Sequence, residues 1–335
     1  MTINIALVTS EAFVLGCDSI SSETDFFLRP LNCIETDAEG NFVLDADGRA
    51  TARFTLDQIQ QVVTNSFGNV TKMFSISRGG VEAAAVTSGL ASIGGKTISA
   101  LAEEFLLLPT PGETLAQVAA AFLAFVREQY LLAFGAAIPL KFQPALEFLI
   151  GGFESASRFP AAYRVRVKEN TCVAVYEGGS TGLTWAAQSD GVERLIFGID
   201  SQLKSQITFE LNKALDDFYE ASKLNAMRML EELMTAAGLD ELPAGVNTEF
   251  VGKPAVELPF KNCQLDIDFA NLPLQDAVDF VSYLVNLQSG RAKFARGVAT
   301  VGGRTHIGVI TRNNKLRMLN EPELVHRNPG YSHDQ

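Results

Sequence analysis

An α+β fold, built from antiparallel sheets covered by helices, follows from three features of the chain. Apolar strand-like runs cluster at the start, the middle and the end, and two helical stretches separate them. Such blocks of strands then helices favour antiparallel pairing over the strict strand–helix alternation of a parallel sheet. The runs are also joined by short turn signals, which suits hairpins and meanders.

The first hairpin is the plainest. INIALVT is β-branched and apolar, SEA turns, and FVLGC returns as a second apolar strand ending at Asp18. Neither strand alternates with polar residues, so both faces are expected to be buried. From Ser19 to about Thr71 the pattern loosens. DAEGN and DADGR carry Asp and Gly turn chemistry around FVLD, and FTLDQIQQVV is expected to form an amphipathic helix. This stretch reads as a surface insertion at about 19–71 in one domain of residues 2–319, with a polar tail over 320–335.

KMFSIS, the turn RGG and VEAAAVTS form the next strand pair, closed by Gly89. A helix is expected from Ala91 to Leu108, broken by Pro109. The next opens on TPGE, with Thr110 as N-cap, Pro111 at the first helical position and Glu113 completing a capping box. Leu115, Val118, Phe122, Phe125 and Val126 recur at helical spacing, which makes the phenylalanines core residues. ALEFLIGGF, AAYRVRV and TCVAVYE then read as an antiparallel meander with a turn at KEN. Helix resumes from about Ser189 to Ala237, followed by the loop GLDELPAG. PLQDAVDFVSYLVNLQSG is an amphipathic helix with Gly290 past its end, and VATVGG, RTHIGVIT and KLRML close the chain as strands.

Composition narrows the function. The 335 residues are 47% apolar, enough for a substantial core. Asp and Glu outnumber Lys and Arg by 39 to 27, a formal charge of −12, with no cationic cluster. Nucleic acid and anionic membrane surfaces are therefore not expected partners. The first basic residue is Arg29 and no uninterrupted apolar run reaches about 18 residues, so a cytoplasmic location without a membrane span is expected. Cys17, Cys33, Cys172 and Cys263 lack paired spacing, and His306, His326 and His333 lie near the end, so no metal site or disulfide framework is expected. The Gly pairs at 79–80, 94–95 and 178–179 lack the Lys and Ser/Thr of a phosphate loop and read as turns.

The order of elements and several local motifs resemble the proteasome-type family of N-terminal nucleophile (Ntn) hydrolases. In that family an N-terminal Thr starts a strand, a second apolar strand ends in Asp, and a Lys precedes the third strand. Thr2, Asp18 and Lys72 occupy those places, in MTINIALV, FVLGCDS and KMFSI. AVTSGL falls where the family has its Gly-containing oxyanion loop, which makes Gly89 the candidate donor. FLIGGF, EGGSTG and VGGRTHIGVIT resemble its later strands, and Ser189 in AAQSDG approximates a supporting serine. The start Met-Thr without a long leader is closest in character to bacterial Anbu-type subunits. The resemblance implies four layers, two antiparallel sheets face to face with helices on both outer sides. It also implies a homo-oligomer, a peptide or amide substrate, and no metal or organic cofactor.

One departure stands out. The family's proteolytic members carry an Asp and a Ser three residues apart before the late Gly-Gly, and VATVGG puts Val298 and Val301 there. A valine side chain cannot hydrogen-bond to a neighbouring site.

The chemistry implied is self-consistent. A Thr hydroxyl needs a base, and an α-amine with a pKa of about 7.7–8.0 serves only when its residue is N-terminal, so Met1 is expected to be removed. A lysine ammonium would stabilise the developing alkoxide and a buried carboxylate would hold that lysine. A glycine N–H can approach an oxyanion with no Cβ in the way. Three readings follow: a threonine-type amide hydrolase, a non-peptidase Ntn amidase, and a catalytically silent assembly protein.

Overall fold

The structure is a computed structural model that describes residues 2–27, 29, 33–53, 60–109, 113–135, 138–241, 255–256, 264–296 and 298–319. Two compact units are present, residues 1–189 with 268–335, and residues 190–267.

Two five-stranded sheets organise the larger unit. The first contains β1 (Ile3–Val8) and β2 (Ala12–Asp18), the hairpin read from INIALVT and FVLGC. Among the described residues β3 (Ser21–Phe27) and β4 (Gln60–Phe67) pair only with each other, as a separate antiparallel ribbon. The helix expected over FTLDQIQQVV is therefore not formed where the residues are described: Gln60 onward is strand, because the partner Ser21–Phe27 offers a full ladder. Residues 54–59 lie outside the described residues. Between the two strands, Ile34, Thr36 and Leu44 bridge Ala52, Phe42 and Ala50, nesting the two Asp/Gly turns.

The second sheet starts with β5 (Met73–Ser75) and β6 (Glu82–Gly89). A two-residue pair, β7 (Ser92–Ile93) and β8 (Lys96–Thr97), replaces the first turns of the helix expected from Ala91. α1 is thus Ile98–Leu107, capped by Thr97 through the amide of Ala100. α2 is Leu115–Tyr130, with a capping box made by Thr114 and Gln117. The box expected at Thr110 shifts four residues on, where Gln117 can return a side-chain bond to the Thr114 amide. Thr110 and Pro111 lie outside the described residues.

The meander follows as β9 (Leu146–Phe153), β10 (Ala161–Arg166) and β11 (Thr171–Tyr176), and β12 (Gly182–Ala187) returns to the first sheet. The final elements are α5 (Leu274–Phe294), β13 (Thr305–Thr311) and β14 (Asn314–Met318). α5 runs through Gly290 rather than ending before it, and VATVGG is irregular rather than a strand. The tail lies outside the described residues. Strand orders are β12-β1-β2-β13-β14 and β11-β10-β9-β6-β5, antiparallel throughout.

Alternating side chains serve both faces of each sheet, which is why the strands read as continuously apolar. Ala6, Val8, Phe13 and Leu15 of the first sheet pack against Met73, Val86, Leu149 and Phe153 of the second. Phe74, Ala85 and Phe148 point the other way, toward Phe105 of α1 and Phe122 of α2. Phe122 meets Phe148 edge-on with centroids 5.0 Å apart, so these phenylalanines are core. On the far side α5 lies close against the first sheet: a Cβ on Gly16 would stand 2.4 Å from Val281 Cγ1. The result is an αββα stack, α1 and α2, sheet, sheet, α5. Leu115–Gly135 has the length and apolarity of a bilayer span, interrupted by Arg127 and Glu128, but its apolar face is used in this stack.

In the smaller unit, α3 (Asp190–Phe197) and α4 (Ser201–Ala237) replace the single helix expected from Ser189. The break comes at Gly198, with φ +72°, and Asp200 restarts the helix by accepting from the Leu203 amide.

Candidate active site

The fold brings the start of β1, the end of β2 and the residue before β5 to one place between the sheets. Lys72 Nζ donates to Thr2 Oγ1 at 2.5 Å and to Asp18 Oδ1 at 2.8 Å, and the Thr2 hydroxyl also donates to Asp18 Oδ1. All three residues are buried. Sixteen residues separate Thr2 from Asp18 because one tight hairpin returns the chain beside its own start. Lys72 arrives from the opposite sheet, and its carbonyl accepts the Thr87 amide to fix the strand start.

Asp18 is held on all sides. Oδ1 also accepts the Ile3 amide at 3.1 Å, and Oδ2 accepts the amides of Ile20 at 3.2 Å and Gly302 at 3.0 Å. A carboxylate receiving this many donors keeps one orientation and positions Lys72 in turn. Gly302 belongs to VATVGG, so this stretch supports the site through its backbone. Val298 is 61% exposed and Val301 is buried, and neither offers a polar group. Thr300, between them, donates to Gln188 Oε1 at 3.2 Å, and the Gln188 amide donates to the Thr2 carbonyl at 2.9 Å. Gln188, Thr300 and Gly302 were not singled out by sequence; the only signal was their placement inside motifs read for other residues.

A cavity of about 310 Å³ opens beside Thr2 and Lys72, with Gly89 and Thr97 on one side. Gly89 ends β6 with φ +95°, and a Cβ there would stand 2.0 Å from the Ala145 carbonyl oxygen, so only glycine fits. Strand alternation puts the Gly89 N–H on the same edge as that of Thr87, which bonds Lys72, and so on the edge that borders the cavity. The lining also includes the foot of the 19–71 insertion, Ile20 to Ser22 and Asn69 to Thr71. Ser19 pins both feet, accepting the Val70 amide on its carbonyl and donating its hydroxyl to the Gly68 carbonyl.

Ser189 is not part of the cavity lining. It follows Gln188 at the end of β12, buried, with its hydroxyl 3.5 Å from the Ala187 carbonyl. Around the cluster, burial pushes the Cys17 thiol up to about 12 against the opposing pull of the Lys72 charge. Burial and Lys72 together push His306 below its usual range.

No protein-family model and no curated protein matches the sequence. Among solved structures the chain is similar to a Gly-1 mutant of Anbu from Hyphomicrobium sp. strain MC1, at 12% identity and a TM-score of 0.36 over 58% of this chain and 64% of that one. It is also similar to the helical assembly of the Anbu complex from Pseudomonas aeruginosa, at 12% identity and a TM-score of 0.44 over 97% and 88%. The match thus spans less than two-thirds of the Hyphomicrobium chain. The layered antiparallel sheets described above, covered by helices, are an α+β fold.

Proposed function

We propose that this chain is a threonine-type amide hydrolase, a peptidase of the proteasome-like kind, with Thr2 as nucleophile. The observation that carries the reading is the contact of Lys72 Nζ with both Thr2 Oγ1 and Asp18 Oδ1 beside an open cavity.

With Met1 removed, the Thr2 α-amine takes the hydroxyl proton as Oγ1 attacks the substrate carbonyl. Lys72 stabilises the forming alkoxide, and Asp18 keeps that ammonium aimed at it. The Gly89 N–H faces the carbonyl oxygen as it becomes an oxyanion. The protonated amine then passes its proton to the leaving nitrogen as the C–N bond breaks, leaving an ester on Thr2. Water, deprotonated by the same amine, cleaves the ester and restores the hydroxyl. Ser189 acts only as a structural neighbour of Gln188 in this scheme. The residues standing where the family has a polar pair, Val298 and Val301, leave orientation to backbone donors and to Gln188 with Thr300. Turnover is therefore weak or restricted to a few substrates.

The protein works as a cytoplasmic homo-oligomer, with an insertion at about 19–71 in the unit that carries Thr2. The exposed apolar residues Phe209, Phe218, Leu224 and Leu233 on α4 support the oligomer. A panel of fluorogenic peptides and small amides tests the activity: hydrolysis is expected from wild type and is lost in Thr2→Ala with the oligomer intact. Equal hydrolysis by Thr2→Ala would assign the activity to another site.

A further inference from the structure

A row of polar side chains crosses the first sheet between the two sheets and has no part in the scheme above. Asn4 of β1 pairs in register with Cys17 of β2, and Cys17 pairs with His306 of β13. Neighbours directly opposite in such a ladder have Cβ atoms about 5 Å apart, so the three side chains lie next to one another. Alternation puts them on the face of Ala6, Leu15 and Ile310, toward the second sheet at Met73, the residue after Lys72. Asn4 is 0% and His306 1% exposed, yet both amide atoms of Asn4 and both ring nitrogens of His306 have no hydrogen-bond partner among the described residues. Four orphaned polar atoms in one buried row are far from the usual state of protein interiors.

The neighbouring charges say what can partner these atoms. Lys72 and Asp18 act on both His306 and Cys17, and Arg304 acts on His306. The Lys72 ammonium opposes a cation, Asp18 opposes an anion, and the Cys17 thiol is protonated at neutral pH. A neutral donor-acceptor of the smallest size remains. Lys72 also has three N–H donors, of which Thr2 and Asp18 take two.

We propose that Asn4 and His306 hold internal water between the sheets, and that this water is the third acceptor of the Lys72 ammonium, making His306 and Asn4 positioning residues for Thr2. A buried water making about three hydrogen bonds fits an amide, an imidazole and an ammonium. The hydration site stands on the burial and the orphaned atoms; its catalytic consequence rests on the reading of Thr2 as nucleophile.

A crystal structure of the full chain at high resolution tests the site. Ordered water within hydrogen-bond reach of Asn4 or His306 and of Lys72 Nζ is expected. A dry row, with Asn4 and His306 bonded directly to each other or to Cys17, overturns it. The positioning role is read from the rate at which a peptide epoxyketone labels Thr2, across pH, in Asn4→Leu, His306→Phe and His306→Gln. The two apolar variants are expected to slow labelling roughly tenfold or more, and glutamine to restore most of it. Unchanged labelling in Asn4→Leu and His306→Phe, both folded, overturns the positioning role. If His306→Phe does not fold, Asn4→Leu decides alone. If wild type itself does not label, the nucleophile reading fails, while the crystallographic water still decides the hydration site.

Discussion

Asp18→Asn is the sharpest perturbation of the buried cluster, since it keeps the shape and removes the charge. The carboxylate accepts from the Thr2 hydroxyl, Lys72 and Ile3 on Oδ1, and from Ile20 and Gly302 on Oδ2. An asparagine amide turned either way points its NH₂ at donors. Turned toward Lys72 it confronts an ammonium; turned away it faces two backbone N–H groups. Removing one partner of a buried ion pair costs about 3–5 kcal/mol, and each buried donor left unpaired costs about 1–3 kcal/mol. These overlap, so a loss of about 4 kcal/mol is expected. Lys72→Met should cost less, about 2 kcal/mol, because Asp18 keeps four donors. The double variant should lose less than the sum, since it buries no lone charge. Urea unfolding followed by the single tryptophan reads this directly: Trp185 pairs with Ile5 in the sheet that carries Asp18. A loss under about 1 kcal/mol for Asp18→Asn, or strict additivity in the cycle, would refute the buried-pair account.

Three further outcomes are expected. Gly89→Ala forces a Cβ to within 2.0 Å of the Ala145 carbonyl at φ +95°. It should cost about 2 kcal/mol or more and lower epoxyketone labelling roughly a hundredfold, and wild-type labelling would remove Gly89 from the site. His306 has a folded pKa below its ordinary 6.5, so the unfolded chain takes up its proton first as pH falls. The stability this residue contributes is present in full above about pH 6.5 and is lost below it, at up to about 1.4 kcal/mol per pH unit. Urea midpoints at pH 7.5 and 5.5 should therefore differ less in His306→Gln than in wild type; equal slopes would contradict the burial of a neutral imidazole. Cys17, with its thiol held near 12, should resist a disulfide reagent at pH 8 until urea unfolds the chain, and rapid modification of the native protein at Cys17 would count against the packed sheet pair.

The fold class and the Thr2–Asp18 contact were legible because they rest on local pattern. Asp18 follows Thr2 through one hairpin whose turn and apolar strands are written in consecutive residues. Lys72 comes from another sheet, and only the family resemblance tied it to Thr2; hydrophobic pattern says nothing about pairing over seventy residues. FTLDQIQQVV misled because helical periodicity in a short window competes with strand pairing, and the partner at Ser21–Phe27 is remote in sequence. The capping box moved from Thr110 to Thr114 since two Thr residues four apart offer the same chemistry. Gly302, Gln188 and Thr300 act through backbone amides or through an ordinary polar pair, and neither leaves a residue-type signature. His306 and Asn4 look like unremarkable strand residues until register places them in one buried row with Cys17.

Peptide mapping by mass spectrometry after epoxyketone treatment tests the nucleophile most directly. The N-terminal peptide should begin at a free Thr2 and carry one adduct on that residue, with no adduct in Lys72→Ala. Retention of Met1 on the labelled molecules, or an adduct confined to another residue, would contradict a hydrolase built on Thr2, Asp18 and Lys72.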